Sequence, residues 1–338
     1  MKNPWSKALL FAAAIGLTAA VSAQQQPIVI KFSHVVAADT NKGKSIEYFK
    51  KLAEERTKGQ VKVEVYANSV LYKDKEEMEA LQLGAVQMLA PTPGKFGPLG
   101  VREFEVLDLP YLFDTLADEI KVTQGPIGQG LLAKLEPKGI HGLAFWNNGF
   151  KEMTSNKPLR TPADFKGQKL RIQSSKVIDA QMRAVGAIPQ VLTFSELYQA
   201  MQTGVVDGQE NPNNVIFPSK LYEVQKYLTM SDHGYHGYAV ITNAKFWADL
   251  PPNLRTILEG AMKDTTEYFN TSAKKENDDG LAGIRASGRT EIILLSPEAK
   301  RAWKKAFLPV HDEMAERVGG KAFVQSIYKE TGFDPAKL

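Results

Sequence analysis

The chain has 338 residues, with 42 Lys and Arg against 38 Asp and Glu, and no cysteine. Its length exceeds one typical core and points to two domains, while 43% hydrophobic and 24% charged residues are ordinary for a globular protein and exclude disordered and fibrous classes. The near-balance of charge, with basic residues spread along the chain, gives no electrostatic case for nucleic acid, and the lack of cysteine removes thiol catalysis, zinc–thiolate sites and iron–sulfur clusters.

Residues 1–7 carry Lys2 and Lys7 and no acid, residues 8–21 are apolar apart from Gly16 and Thr18, and Val21-Ser22-Ala23 offers small residues where a signal peptidase reads. That order is a secretory signal, cleaved after Ala23, because the apolar run is shorter than the roughly 20 residues a membrane-spanning helix needs. Loss of Lys2 and Lys7 takes the basic residues from 42 to 40 against 38 acids, a net charge of +2. A soluble protein in the periplasm is expected, without the cysteine that a lipid anchor would use.

Residues 27–32 read as a strand with Ile28, Ile30 and Phe32 on one face. Residues 41–58 form an amphipathic helix ended by Gly59, with Ile46, Phe49, Leu52 and Ala53 on its stripe. Residues 61–65 alternate as a strand. A helix is expected over 74–83, with Asp74 and Glu77 at capping-box spacing, and a short buried strand over 86–90. This β-α-β-α-β opening implies a mainly parallel sheet covered by helices on both faces. A partly helical stretch over 118–135 precedes a strand over 141–146, which ends at the chain-turning cluster Asn147-Asn148-Gly149. Thr161-Pro162-Ala163-Asp164 starts a helix. A strand over 168–172 and helices over 177–185 and 195–203 complete a second series. Residues 252–287 form one long helix with few breakers, and the tail from Ser296 is helical.

Nothing in this order makes an enzyme. His233 and His236 lie three apart beside Tyr235 and Tyr238, but no third metal ligand accompanies them. The Gly94-x-x-Gly97-x-x-Gly100 loop has the wrong spacing for a dinucleotide. No nucleophile elbow or phosphate-loop lysine is present. No metal and no cofactor is implied. Arg171 is different, because it sits inside the strand-like run Lys169-Leu170-Arg171-Ile172-Gln173. A buried guanidinium is costly unless a carboxylate or phosphate pairs with it, so Arg171 either holds an anionic ligand or forms a structural salt bridge. The polar segment 206–212 (Val-Asp-Gly-Gln-Glu-Asn-Pro) reads either as turn chemistry or as a second polar contact.

The chain resembles the solute receptors of tripartite ATP-independent periplasmic (TRAP) transporters, and most closely their dicarboxylate-binding, DctP-type branch. The resemblance runs over about residues 28–315. It rests on Lys31-Phe32-Ser33-His34, Val65-Tyr66-Ala67-Asn68-Ser69-Val70-Leu71, Asn148-Gly149-Phe150-Lys151, Lys169-Leu170-Arg171, Phe194-Ser195-Glu196, the 206–212 segment and Tyr222-Glu223-Val224-Gln225-Lys226-Tyr227, in order and at the family's spacing. It implies a two-lobed α/β periplasmic binding-protein fold, each lobe a central sheet flanked by helices, with the long helix bracing both. Lobe I is expected over 27–148 plus 237–276 and lobe II over 149–236 plus 277–338, with hinges near 148 and 236.

By the same resemblance the protein captures a small organic acid between the lobes, a four-carbon dicarboxylate above all, and passes it as a monomer to integral-membrane TRAP subunits. A monocarboxylate or aromatic acid, or a sensory rather than a transport role, are the alternatives. Arg171 matches the arginine that clamps the ligand carboxylate, Asn211 the asparagine that helps hold it, and Phe194 an aromatic beside it. Lys151 stands where the sialic-acid branch has arginine and is the first candidate for a second carboxylate, followed by His34 and Lys42. Lys73 and Asp74 fall near another family contact. Trp146 and Phe96 are candidates for the apolar lining, and Thr92 lies near a position that is acidic in the sialic-acid branch.

Overall fold

The structure, a computed structural model, describes residues 26–335; the signal segment expected at 1–23 lies outside them. Among the described residues no helix is long and apolar enough to cross a membrane. Strand β1 (Ile28–Ser33) buries Ile30 and Phe32 against Ile46 and Phe49 of helix α1 (Asn41–Arg56), as the sequence periodicities require. Strand β2 (Val61–Tyr66) pairs with β1 in parallel. Helix α2 (Glu77–Gln82) follows, and then β3 (Met88–Leu89), which also pairs with β1 in parallel. Two 3₁₀ turns, Pro93–Leu99 and Arg102–Asp108, lead to α3 (Leu116–Gln124) and α4 (Pro126–Ala133).

Strand β4 (Ile140–Ser155) is much longer than expected. Its 147–149 cluster is not a turn. The pairing register slips there, between Asn147 and Phe150, and Gly149 takes φ 97°, so an irregularity absorbs the polar cluster and the strand runs on. Beyond it come β5 (Lys169–Ile172), α5 (Lys176–Ala184), β6 (Ile188–Val191), α6 (Phe194–Gln202), β7 (Gly208–Asn211) and α7 (Asn213–Ile216). The 206–212 segment is thus partly strand. Strand β8 (Tyr227–Asn243) pairs antiparallel with β4 along almost its whole length. Helices α8 (Ala244–Asp249) and α9 (Pro252–Ser287), strand β9 (Glu291–Leu294) and helices α10 (Pro297–Phe307), α11 (Pro309–Met314) and α12 (Lys321–Thr331) end the described chain.

The expectation of one sheet per lobe is corrected: all strands hydrogen-bond into one mixed sheet of order β2-β1-β3-β8-β4-β7-β5-β6, with β9 on β8. The physical reason is that β4 and β8 are long enough to serve both halves. The first half sets β1–β3 beside the C-terminal part of β8. The second sets β5–β7 beside β4, and β9 beside Tyr227–Met230. Helix α9 packs its 254–269 segment into the first-half core with Trp146 and Phe32, and its far end, through Ile284, into the α6 core of the second. The tail expected wholly in the second unit divides. Trp303 and Phe307 of α10 join Phe165 and Ile178, whereas Val324 and Ile327 of α12 join Val122 of α3.

The loop from β1 to α1 is held by close packing. Thr40 caps α1 by accepting from the Gly43 amide at 3.2 Å. A Cβ on Gly43 would lie 2.2 Å from the Ala38 carbonyl oxygen, a backbone clash that only loop movement could relieve. We expect Gly43→Ala to lower Tm by several degrees, corresponding to about 1–3 kcal/mol. Gly130→Ala, on an exposed helical position of α4 with open space around it, should leave Tm unchanged or raise it, by at most about 1 kcal/mol. Calorimetric melting of the two variants separates these outcomes.

Candidate functional site

The C-terminal ends of β1 and β3 from one half face the ends of β5 and β7 from the other, and the loops beyond them enclose a small cavity floored by β8. Ligands of parallel sheets collect at such carboxyl ends. On β5, Leu170 and Ile172 enter the second-half core, so Arg171 between them points to the opposite face, into the cavity. Its Nε donates to the Leu192 carbonyl at 3.0 Å and its guanidinium lies 5.9 Å from the centre of the Phe194 ring. No carboxylate stands within ion-pair distance of it among the described residues. Burial lowers its pKa, against the pull of Asp74 and Glu210. Asn211 ends β7. Its side-chain amide donates to Gln209, which donates to Thr154 at 3.0 Å, and Thr154 donates to Gln225 at 2.9 Å. This buried chain fixes the direction in which Asn211 faces the cavity.

From the other half, Lys42 sits in the first turn of α1, where the helix dipole disfavours a cation. Its ammonium donates to the Ala90 carbonyl at 3.1 Å and lies 3.9 Å from the centre of the Tyr238 ring. It also has no carboxylate partner within ion-pair distance among the described residues. Burial, reinforced by Lys95, lowers its pKa to about 7, with Glu77 and Asp74 acting in the opposite direction. Lys95, by contrast, is paired with Asp74 at 2.5 Å and with Glu77. Those two carboxylates outweigh burial and raise its pKa. The cavity lining therefore holds three cations, Lys42, Lys95 and Arg171, against the single carboxylate of Asp74.

Asp74 ties the halves together. Its second oxygen accepts from the Phe194 amide at the start of α6, at 2.6 Å. Burial alone would raise its pKa, but Lys95 and Arg171 prevail and hold it well below the usual carboxylate range. This engagement also explains why Asp74 does not cap α2: that helix begins only at Glu77, with Glu76 at the cap position and no side-chain cap bond. Thr92 and Gln173 add a second hydrogen bond between the halves.

Several expected contacts lie elsewhere. Lys151 does not reach the cavity. It bonds Glu210 at 2.8 Å, 3.9 Å from Asp108, and Glu210 in turn bonds His233 at 2.9 Å, so its charge is neutralised inside a chain joining β4, β7 and β8. Lys151 and His233 outweigh burial and hold Glu210 at about 2. His34 is buried and kept neutral by burial and by Lys42, with its pKa at about 3; its neighbours Val35 and Val36 line the cavity and it does not. Trp146 stacks between Phe32 and Phe269 and donates to Thr266 at 3.0 Å, which makes it core. Phe96 stacks on Phe104 with 4.2 Å between ring centres. Lys73 is half exposed, 3.8 Å from Glu196. Of the expected set, Arg171, Asn211, Phe194, Lys42 and Asp74 meet at the cavity.

Lys95, Gln173, His236 and Tyr238 were not foreseen. The alternation of 233–238 could have pointed to His236 and Tyr238, two apart on one strand face. The roles of Lys95 and Gln173 depend on partners 18 residues away or more (Glu77 and Asp74 for Lys95, Thr92 for Gln173) and left no local signal.

The family profile of bacterial extracellular solute-binding proteins, family 7, matches residues 32–318. The C4-dicarboxylate-binding periplasmic protein DctP of Rhodobacter capsulatus is 59% identical over 314 residues, covering 93% of this chain and 94% of its own. The C4-dicarboxylate-binding protein DctB of Bacillus subtilis is 43% identical, over 90% of this chain and 86% of its own. Among solved structures, a TRAP periplasmic solute-binding protein of Shewanella oneidensis with bound succinate superimposes with a TM-score of 0.88 at 38% identity, over 90% of this chain and 99% of that one. One from Pseudomonas aeruginosa with bound L-malate gives 0.83 at 41% identity, over 85% and 100%.

A buried ammonium without a counter-charge destabilises the fold that contains it. Lys42→Met is expected to raise the stability of the free protein at pH 7, by roughly 1–4 kcal/mol. The folded pKa of about 7 lies below the ordinary 10.5, so the unfolded chain binds more protons between those values and stability from this group rises with pH across that window. Lys42→Met should remove that rise. Chemical denaturation at pH 7 and pH 9 reads both effects.

Proposed function

This chain belongs to the bacterial extracellular solute-binding protein family 7, and on that premise we propose that it is the receptor of a TRAP transporter for a four-carbon dicarboxylate. The family is one of binding proteins rather than enzymes, and the protein works in the periplasm with the membrane subunits of its transporter. The signal segment is cleaved after Ala23, and the receptor acts as a monomer.

The observation that carries the dicarboxylate reading is the pair of buried cations without carboxylate partners, Arg171 in one half and Lys42 in the other, facing one cavity. A ligand with a carboxylate at each end supplies both counter-charges. Arg171, with its planar fork, and Asn211 hold one carboxylate, while Lys42 holds the other. Phe194, Val35 and Val36 pack against the carbon chain between them. The second clamp is thus Lys42 rather than Lys151.

Closure follows from the same division. When the halves separate near 148 and 236, the ligand can touch only one of the two cations. When they close, the ligand touches both, so it favours the closed form by the difference in affinity between the two states. Asp74 on the Phe194 amide and Thr92 on Gln173 add direct contacts between the halves.

Removing Arg171 would leave a buried ligand carboxylate unpaired, so Arg171→Ala should cost about 3–5 kcal/mol, at least a hundredfold in affinity for succinate. Lys42→Met should weaken succinate more than a monocarboxylate such as butyrate, because only the dicarboxylate presents a group to that end. Titration calorimetry on both variants tests the assignments. Near-normal succinate binding by Arg171→Ala, or equal losses for both ligands in Lys42→Met, would be incompatible with them. For the unmodified protein, succinate at 100 times its Kd should stabilise the fold by about 2.7 kcal/mol.

A further inference from the structure

Between the two clamps lies β8. In the sheet, β3 and β1 lead from it toward Lys42, while β4, β7 and β5 lead toward Arg171. His236 and Tyr238, two apart on β8, share the face that floors the cavity. They therefore lie beneath the middle of whatever spans the two cations. The Tyr238 ring is covered by the Lys42 ammonium, and the His236 ring stands edge-on to it with 5.0 Å between centres. His236 is buried, and its Nδ1 makes no hydrogen bond. Burial first, and then the charges of Lys151, Lys42 and Arg171 against that of Glu210, lower its pKa well below the ordinary value and keep the ring neutral.

With Nδ1 enclosed, the other ring nitrogen, Nε2, is the one left to a ligand, and it meets an alcohol hydroxyl as donor or as acceptor according to the tautomer. The cationic groups around it only donate. Thr92 and Gln173 are engaged with each other, and the Asn211 amide is tied to Gln209. We infer that His236 is a specificity-determining residue that hydrogen-bonds a hydroxyl on the carbon chain between the two carboxylates, favouring hydroxylated dicarboxylates over plain ones. The inference rests on the dicarboxylate reading of the cavity and assigns a role to a residue outside its two charged clamps.

The test is titration calorimetry with L-malate and succinate on the unmodified protein and on His236→Phe, His236→Asn and Tyr238→Phe. His236→Phe keeps a flat ring and removes both nitrogens. The ratio of succinate Kd to malate Kd should fall by about tenfold in this variant, the loss of one hydrogen bond. His236→Asn, which retains a donor and an acceptor, should recover part of that ratio, so a merely structural role for the ring is excluded by the recovery. Melting temperatures identify any variant that does not fold, and His236→Asn then carries the comparison, its ratio expected between those of the unmodified protein and zero preference. An unchanged ratio in the His236 variants, or a larger change in Tyr238→Phe, overturns the inference and leaves the dicarboxylate reading intact. If the unmodified protein binds neither acid, that reading fails and the inference falls with it.

Discussion

Two cations held out of water without a counter-charge are the constraint around which this protein is arranged. Lys42 and Arg171 are each at most 4% exposed, and neither has a carboxylate within ion-pair distance among the described residues. Each belongs to a different half, and both line the cavity between the halves. A single-ended acid would leave one cation unmatched in the closed form.

The surrounding charges sharpen this division. Lys95 could have been a third free cation, but Asp74 and Glu77 occupy it, and Lys151 is occupied by Glu210. Among the cations lining the cavity, Lys42 and Arg171 are thereby left without a carboxylate partner among the described residues. Asp74 has a second task, because its other oxygen holds the first amide of α6, beside the ring that packs against Arg171. The buried chain from Lys151 through Glu210 to His233 lies on β4, β7 and β8, where the two long strands pass from one half to the other. The polar groups that shape the site are thus continuous with the strands along which the halves are joined.

Much of the architecture is legible in the sequence because it follows from periodicity. The β1–α1–β2 opening, the 36-residue α9 and the Ser296 cap of α10 each depend on neighbours within a few residues. The family resemblance adds Arg171, Asn211 and Phe194. What stays hidden is set by distant partners. Asp74 has the spacing of a helix cap, yet its oxygens go to Lys95 and to Phe194, 120 residues away. Asn147-Asn148-Gly149 has turn composition, yet β8 pairs across it and keeps it in a strand. Lys151 is a plausible anion clamp until Glu210 is seen to neutralise it. Trp146 looks like lining until Phe32 and Phe269 close over both its faces.

The most direct test of the unmatched-cation account is the number of protons taken up when the ligand binds. With its pKa lowered to about 7, Lys42 is largely neutral in the free protein at pH 8, and a carboxylate placed against it restores the charge. Succinate binding measured calorimetrically at pH 8 in two buffers of different ionisation enthalpy should show an uptake approaching one proton per ligand, and Lys42→Met should abolish it. Binding heats that do not depend on the buffer, in a protein that binds succinate, would contradict the account, because the second carboxylate would then not be meeting a lysine stripped of its charge by burial.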